Sequence, residues 1–267
     1  MGTRTGHRCW PFRTDSAVGA FARHYLAAAL ERGERAIYAR PGPPARHRGE
    51  LGDLAPAWPG GALQVLDTAE LPGPDPSRDP SQWLEGLEHL ARRARSDGFR
   101  GLRLFAELTD RVADERERSR YAHYEHLLGR LTLSEPVGLL CAYDLDRLGT
   151  AAVAELAAVH DTGGETLCPF QLTPAQHDGE LKLSGSIDAF NVAAFSRALA
   201  QVDASEPPTL VIDASGLDFL CHQALIALHR HARTRGCTIR LRDCPGVVGR
   251  MIAILQLDRV EVECAAQ

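Results

Sequence analysis

The side chains best suited to chemistry in the first half of the chain are His7, Cys9, Arg103, Glu107, Tyr124, Cys141 and Tyr143. Imidazole, thiol and carboxylate are the groups that shuttle protons, attack carbon or hold metals. His7 and Cys9 fall on one short strand-like run. Glu107 follows a second, and Cys141 and Tyr143 lie on a third. In parallel α/β sheets ligands bind at the carboxyl ends of strands. The spacing therefore predicts a small-molecule or redox pocket lined by these seven residues. Each also has a plain structural reading. Cys141 alternates within an apolar strand and suits a core, and Arg103 with Glu107 suits an ion pair. No nucleophile elbow and no Gly-rich phosphate loop is present. No catalytic residue, cofactor or metal is assigned, and the chain reads as a non-enzyme. The competing readings are a hydrolase or transferase using Cys9 or Cys141 with His7 and Glu107, and a pure assembly module.

A second cluster, Phe219, Cys221, His222, Gln223 and Ala224, opens a helix in the second half. It reads as a protein-docking loop. A thiol at a helix start can become redox-sensitive; a small core residue is the plainer reading of Cys221. Cys221, His222, His229 and His231 lack the spacing of structural zinc motifs.

The elements that must position these residues alternate. Strands are expected at 7–12, 36–39, 63–66, 102–105 and 137–143, and helices at about 15–33, 83–96, 114–133 and 149–159. Asp15 or Ser16 is expected to cap the first helix, and Gly33 to stop it. The Pro- and Gly-rich stretch 41–61 reads as loop around at most one short helix, and 72–80 as a loop. Such alternation predicts an α/β domain with a parallel sheet. Residues 161–179, with several Gly and Pro, read as a connection. Beyond it, strands are expected at 180–183, 209–213, 238–241 and 260–262. Helices are expected at 190–202, 221–236 and 247–255. The expected domains are 1–162 and 180–267, with 163–179 as linker.

Composition narrows the function classes. The 267 residues carry a net charge of −5, mildly acidic in both halves. No basic surplus draws the chain to nucleic acid or to a membrane. No apolar run reaches the ~20 residues of a membrane span, and the N-terminus has no signal-peptide core. Seven scattered cysteines without a CxxC suit reduced thiols. The expectation is a soluble cytoplasmic protein. Lys182 is the only lysine, which is what Arg-rich, GC-rich bacterial coding produces.

Two resemblances follow from longer stretches. Leu181–Asp188, Leu210–Leu220 and the closing Pro245–Leu257 run resemble the STAS domain of anti-sigma-factor antagonists. The family carries Asp-Ser-Ser-Gly or Asp-Ser-Thr-Gly at the helix after its central strand, with the third residue phosphorylated by a partner kinase. Anchored on Asp213, that motif falls on Cys221-His222-Gln223-Ala224; anchored on Gly236, it falls on Asp218–Cys221. Residues 217–225 hold no Ser or Thr, so the acceptor is absent. Asp213-Ala214-Ser215-Gly216 looks similar but precedes the helix by too far.

His7–Cys9, Tyr25–Tyr38, Gly98–Glu107, Tyr124–Leu128 and Leu140–Asp144, with His160 closing the run, resemble the MEDS sensory domain. Departures are Ala106, Asp110 and Asp161, where that family usually has Gly, an aromatic and Pro. The same run resembles the start of RecA-like ATPases, but Pro11–Ser16 replaces the phosphate loop and has neither Gly nor Lys. The resemblances imply a RecA-like parallel α/β domain lacking a P-loop, followed by a small STAS β/α sandwich. They imply a bacterial regulator of transcription or signal transduction. It would sense a small molecule or redox state and bind an anti-sigma factor, kinase or other regulator, without direct nucleic-acid or membrane contact. A homo-oligomer is left open.

Overall fold

The computed structural model describes residues 6–52, 54, 61–163, 167–176, 180–202 and 208–263. Expectations that touch Cys264, Pro207, part of the 41–61 loop and part of the 161–179 connection lie outside the described residues. The chain divides into two compact units, residues 1–153 with 161–163, and residues 154–160 with 164–267.

In the first unit the strands are β1 (His7–Phe12), β2 (Arg35–Arg40), β3 (Leu63–Asp67), β4 (Leu102–Glu107) and β5 (Val137–Asp144). They lie in the order β1-β5-β4-β2-β3, and every pair is parallel. Helices α1 (Asp15–Glu31), α2 (Pro44–Arg48), α3 (Glu85–Ser96) and α4 (Glu115–Ser134) connect them; α5 (Leu145–Leu148) follows β5, and α6 (Thr150–Ala157) runs across the boundary of the two units. The chain leaves β2 toward the β3 edge and leaves β4 toward β5, so the topological switch point lies between β2 and β4.

Side chains of a strand alternate between faces. On one face Phe12, Tyr38, Phe105, Leu140 and Ala142 pack with Val18, Tyr25, Leu26 and Leu30 of α1. The register pairs Cys9 with Cys141 and Ala106 with Cys141. These residues therefore share the opposite face, together with His7 and Tyr143.

Local chemistry explains the helix starts. The Asp114 side chain accepts from the N–H groups of Arg116 and Glu117 and caps α4. The expected cap of α1 is corrected. Thr14 stands at that position without a side-chain bond, because the Asp15 carboxylate is taken by Arg40. The φ of +77° at Gly33 ends the turn after α1.

In the second unit β6 (Phe170–Pro174), β7 (Glu180–Ile187), β8 (Thr209–Leu220), β9 (Thr238–Arg242) and β10 (Val260–Glu263) form a sheet of order β10-β9-β8-β7-β6. The β6–β7 pair is antiparallel and the others are parallel. The helices are α7 (Val192–Ala200), α8 (His222–Arg235) and α9 (Gly246–Leu255). Two expectations change here. The 163–179 connection contains β6, whose Phe170 and Leu172 are fully buried. Its prolines are tolerable because β6 is an edge strand with Pro174 at its end. The central strand β8 runs to Leu220, not Asp213. It reaches that length through register shifts against β7 around Ser184 and Gly185. Gly185 bends β7 without ending it. Its φ is +85°, and a Cβ there would strike the Pro169 carbonyl.

Candidate functional site

The second face of the first sheet carries a buried polar cluster. The Glu125 carboxylate projects from α4 and lies 2.7 Å from His7 Nε2. It accepts from the Tyr143 hydroxyl at 2.5 Å and from the Cys141 thiol at 3.4 Å. Cys141 Sγ is 3.5 Å from His7 Nε2. His7 and Glu125 have no solvent-exposed side-chain surface. His7 is fixed by its backbone, which donates to the Asp161 carboxylate and accepts from the Asp161 N–H. Cys9 is buried on the strand beside Cys141. Burial, reinforced by the Glu125 charge, pushes the Cys141 thiol and the Tyr143 hydroxyl well above their ordinary ranges. Burial of this kind keeps a thiol protonated and lowers its nucleophilicity.

Cys141 also lines an apolar cavity of about 20 Å³ with Leu87, Leu104, Ala106, Tyr124 and Leu128. The Tyr124 hydroxyl donates to the Pro72 carbonyl at 3.4 Å. The cavity holds roughly one water-sized group, and its lining offers water too few partners.

The structure thus brings together His7, Cys9, Cys141 and Tyr143, with Tyr124 across the adjoining cavity. It does not bring in Arg103 or Glu107. Period-two alternation places both on the α1 face, opposite Cys141. The expected Arg103–Glu107 ion pair is corrected as well. Arg103 grips Glu34 with two bonds, of 2.9 and 3.2 Å, and approaches the Tyr25 hydroxyl. Glu107 accepts from the Thr109 N–H, and burial raises its carboxyl above the ordinary range.

Glu107 instead lines a cleft of about 160 Å³ at the switch point, with Asp15, Arg40, Glu50, Asp110 and Arg147. Its charges are partly paired, with carboxylates outnumbering the arginines. Arg40 binds Asp15 and Glu50, and Arg147 binds Asp110 at 2.6 Å. Asp15 occupies the first turn of α1, where a RecA-like ATPase would seat phosphate at the helix N-terminus. Carboxylates fill the place an anion would need.

Glu125 was missed as a site residue. Its signal is nonetheless in the sequence: Tyr121, Glu125, Leu128 and Thr132 recur at helical spacing, so a carboxylate stands on the buried stripe of α4.

In the second unit Phe219 is 54% exposed and Phe190 is 96% exposed. Ser186 pairs with Phe219, so both rings leave the same ends of adjacent strands. The Phe190 loop is stapled by Asp188 and Asn191. The Asp188 carboxylate accepts from the N–H groups of residues 190 and 191, and Asn191 returns bonds to Asp188 and Ser186. His222 and Gln223 are exposed and Cys221 is half-buried, but Ala224 is fully buried. The expected partner contact at Ala224 is therefore corrected: as the third residue of α8 it faces the core. Cys221 precedes α8 without a side-chain cap bond. Ser215 lies within β8, exposed, and its N–H donates to Asp213.

No helix among the described residues is long and apolar enough to cross a membrane. Residues 6–161 match the family model described as MEDS, MEthanogen/methylotroph, DcmR Sensory domain. Residues 170–262 match the model described as Mlab, STAS domain. No curated protein matches the chain.

Proposed function

The chain belongs to the MEDS sensory family and carries a STAS domain behind it, and from that premise we propose a two-part regulator. The first domain senses a small molecule, and the second binds a protein partner. The observation that carries the reading is the double membership of Cys141, in the buried polar cluster and in the wall of the apolar cavity. A buried carboxylate costs several kcal/mol of desolvation and adds little to packing. Beside an apolar hole it marks a site of function more than of stability. At roughly one water-sized group, the cavity suits only the smallest apolar molecules, of about one or two heavy atoms. The polar cleft is the weaker sensing site, because its arginines Arg40 and Arg147 are already engaged by carboxylates.

Phe190, Phe219, Cys221, His222 and Gln223 form the docking surface for an anti-sigma factor or related regulator. With no hydroxyl in residues 217–225, docking is controlled by the sensory domain or by protein level, not by phosphorylation. The sensory domain spans residues 1–162, and the STAS domain starts at β6. No disulfide joins cysteines among the described residues, which suits the cytoplasm.

The test is a thermal shift of the full chain against apolar molecules of about one or two heavy atoms. Trp10, Trp58 and Trp83 all lie in the first domain, so Trp fluorescence reports that domain alone. A saturable rise in Tm that Ala106→Leu abolishes supports the reading. A panel without any shift, or shifts that survive Ala106→Leu, would overturn it.

A further inference from the structure

We propose that His7 Nε2, a Glu125 carboxylate oxygen and Cys141 Sγ bind a divalent transition metal ion of the zinc class. These ligand atoms all lie within 4.8 Å of one another. They come from β1, α4 and β5, so the fold and not a sequence motif assembles them. Around a tetrahedral zinc, Zn–N, Zn–O and Zn–S bonds of about 2.0–2.3 Å set ligand–ligand edges of roughly 3.4–3.6 Å. The Sγ–Nε2 and Sγ–Oε2 separations are 3.5 and 3.4 Å, already at that spacing. Only the His7–Glu125 approach of 2.7 Å has to open, by about 0.7 Å.

Charge favours the same assignment. A divalent cation with one thiolate, one carboxylate and a neutral imidazole makes a neutral unit, which suits a site shut from solvent. Binding breaks the Cys141 S–H bond, forms a metal–sulfur bond and releases the proton to buffer, so affinity rises with pH. The mixed N, O, S donor set suits zinc or cobalt over magnesium or calcium. The Tyr143 hydroxyl holds the other Glu125 oxygen and acts as an orienting partner of the ligand. Cys141 also stands in the cavity wall, so an ion held by its sulfur would be felt there.

The experiment uses the purified full chain. Equilibrium dialysis against zinc followed by elemental analysis is expected to give one tightly held ion per chain. Cobalt substitution is expected to give a near-ultraviolet sulfur-to-metal charge-transfer band. Cys141→Ser removes that band, and Cys168→Ser leaves it. Cys141→Ser and His7→Ala are expected to weaken binding by at least the roughly 10–100-fold that loss of an orienting partner alone costs. Should these variants fail to fold, X-ray absorption of the zinc-loaded wild-type chain decides the point, with one sulfur among nitrogen and oxygen neighbours expected. Absence of stoichiometric binding, a zinc shell without sulfur or with several, or binding unchanged in folded Cys141→Ser overturns the proposal. The metal site shares Cys141 with the sensing cavity but is read out separately, so either reading can fail alone.

Discussion

Glu125 Oε2 stands 2.7 Å from His7 Nε2, and neither side chain reaches solvent. The two are far apart in sequence, one on the first strand and one in the middle of α4. Their meeting fixes β1 against that helix. Removing one member of a buried pair leaves the other uncompensated and costs about 3–5 kcal/mol. Glu125→Leu is expected to lower the stability of the first domain by that amount in urea, followed by Trp fluorescence. His7→Leu with Glu125→Leu is expected to cost less than Glu125→Leu alone. A single variant within about 1 kcal/mol of wild type would remove the pair from any structural account.

Gly138 lies on β5 directly beside Arg103. A Cβ there would strike the Arg103 guanidinium, which its two bonds to Glu34 prevent from moving aside. Gly138→Ala is expected to destabilise the first domain by about 1–3 kcal/mol through overpacking. Arg103→Met in the same background should recover part of that loss. If Gly138→Ala is neutral, the arginine is not held as described.

Burial, with the Arg235 charge nearby, lowers His231 from an ordinary 6.5 to about 4. Between these values the unfolded chain holds a proton that the folded chain refuses. The contribution is therefore intact above pH 6.5 and lost as pH falls toward 4. Calorimetric unfolding of the second domain is expected to show this acid-side loss, and His231→Gln to reduce it. Titration of the His231 ring by NMR with a midpoint above 6 would contradict the assignment.

Thiol reactivity should follow burial. Cys221 and Cys244 are half-buried and are expected to react first with iodoacetamide at pH 8. Cys9, Cys141 and Cys168 are buried, and burial raises Cys168 to about 11. They should stay unlabelled until the chain unfolds. Peptide mapping that finds Cys141 modified in the native protein would mean that the cluster opens.

The docking loop makes a separate prediction. Incubation with a cognate kinase and ATP is expected to leave the second domain unmodified and still bound to its partner. Phe219→Asp should weaken that binding at least tenfold, about 1.4 kcal/mol, without loss of secondary structure. Gln223→Ser places a hydroxyl in the first turn of α8, where a phosphate gains from helix N–H groups. It is expected to accept a phosphate and lose the partner. Stoichiometric phosphate on Ser215 of the wild-type chain, coupled to release, would overturn this.

How far the sequence reaches can be judged from particular residues. Period-two and helical spacing located β1, β5, α3 and α4 to within a residue or two, because each buries a continuous face. The missing phosphate loop and the missing Ser or Thr before α8 are properties of composition, legible without coordinates. The strand β6 was hidden because Pro and Gly signal a linker locally, and only pairing with β7 makes an edge strand of it. The length of β8 depended on register shifts that no local preference encodes. The proposed seven-residue pocket separated because residues on neighbouring strands share a face only when their register makes them partners. Cys141 pairs with Ala106, which turns Arg103 and Glu107 to the other side of the sheet. Glu125 entered for the same reason, since a helix residue joins a strand site only through packing. Residue types and their local periods lie in the chain itself. Which distant side chains meet is decided by register and layer contact, and those exist only once the sheet has formed.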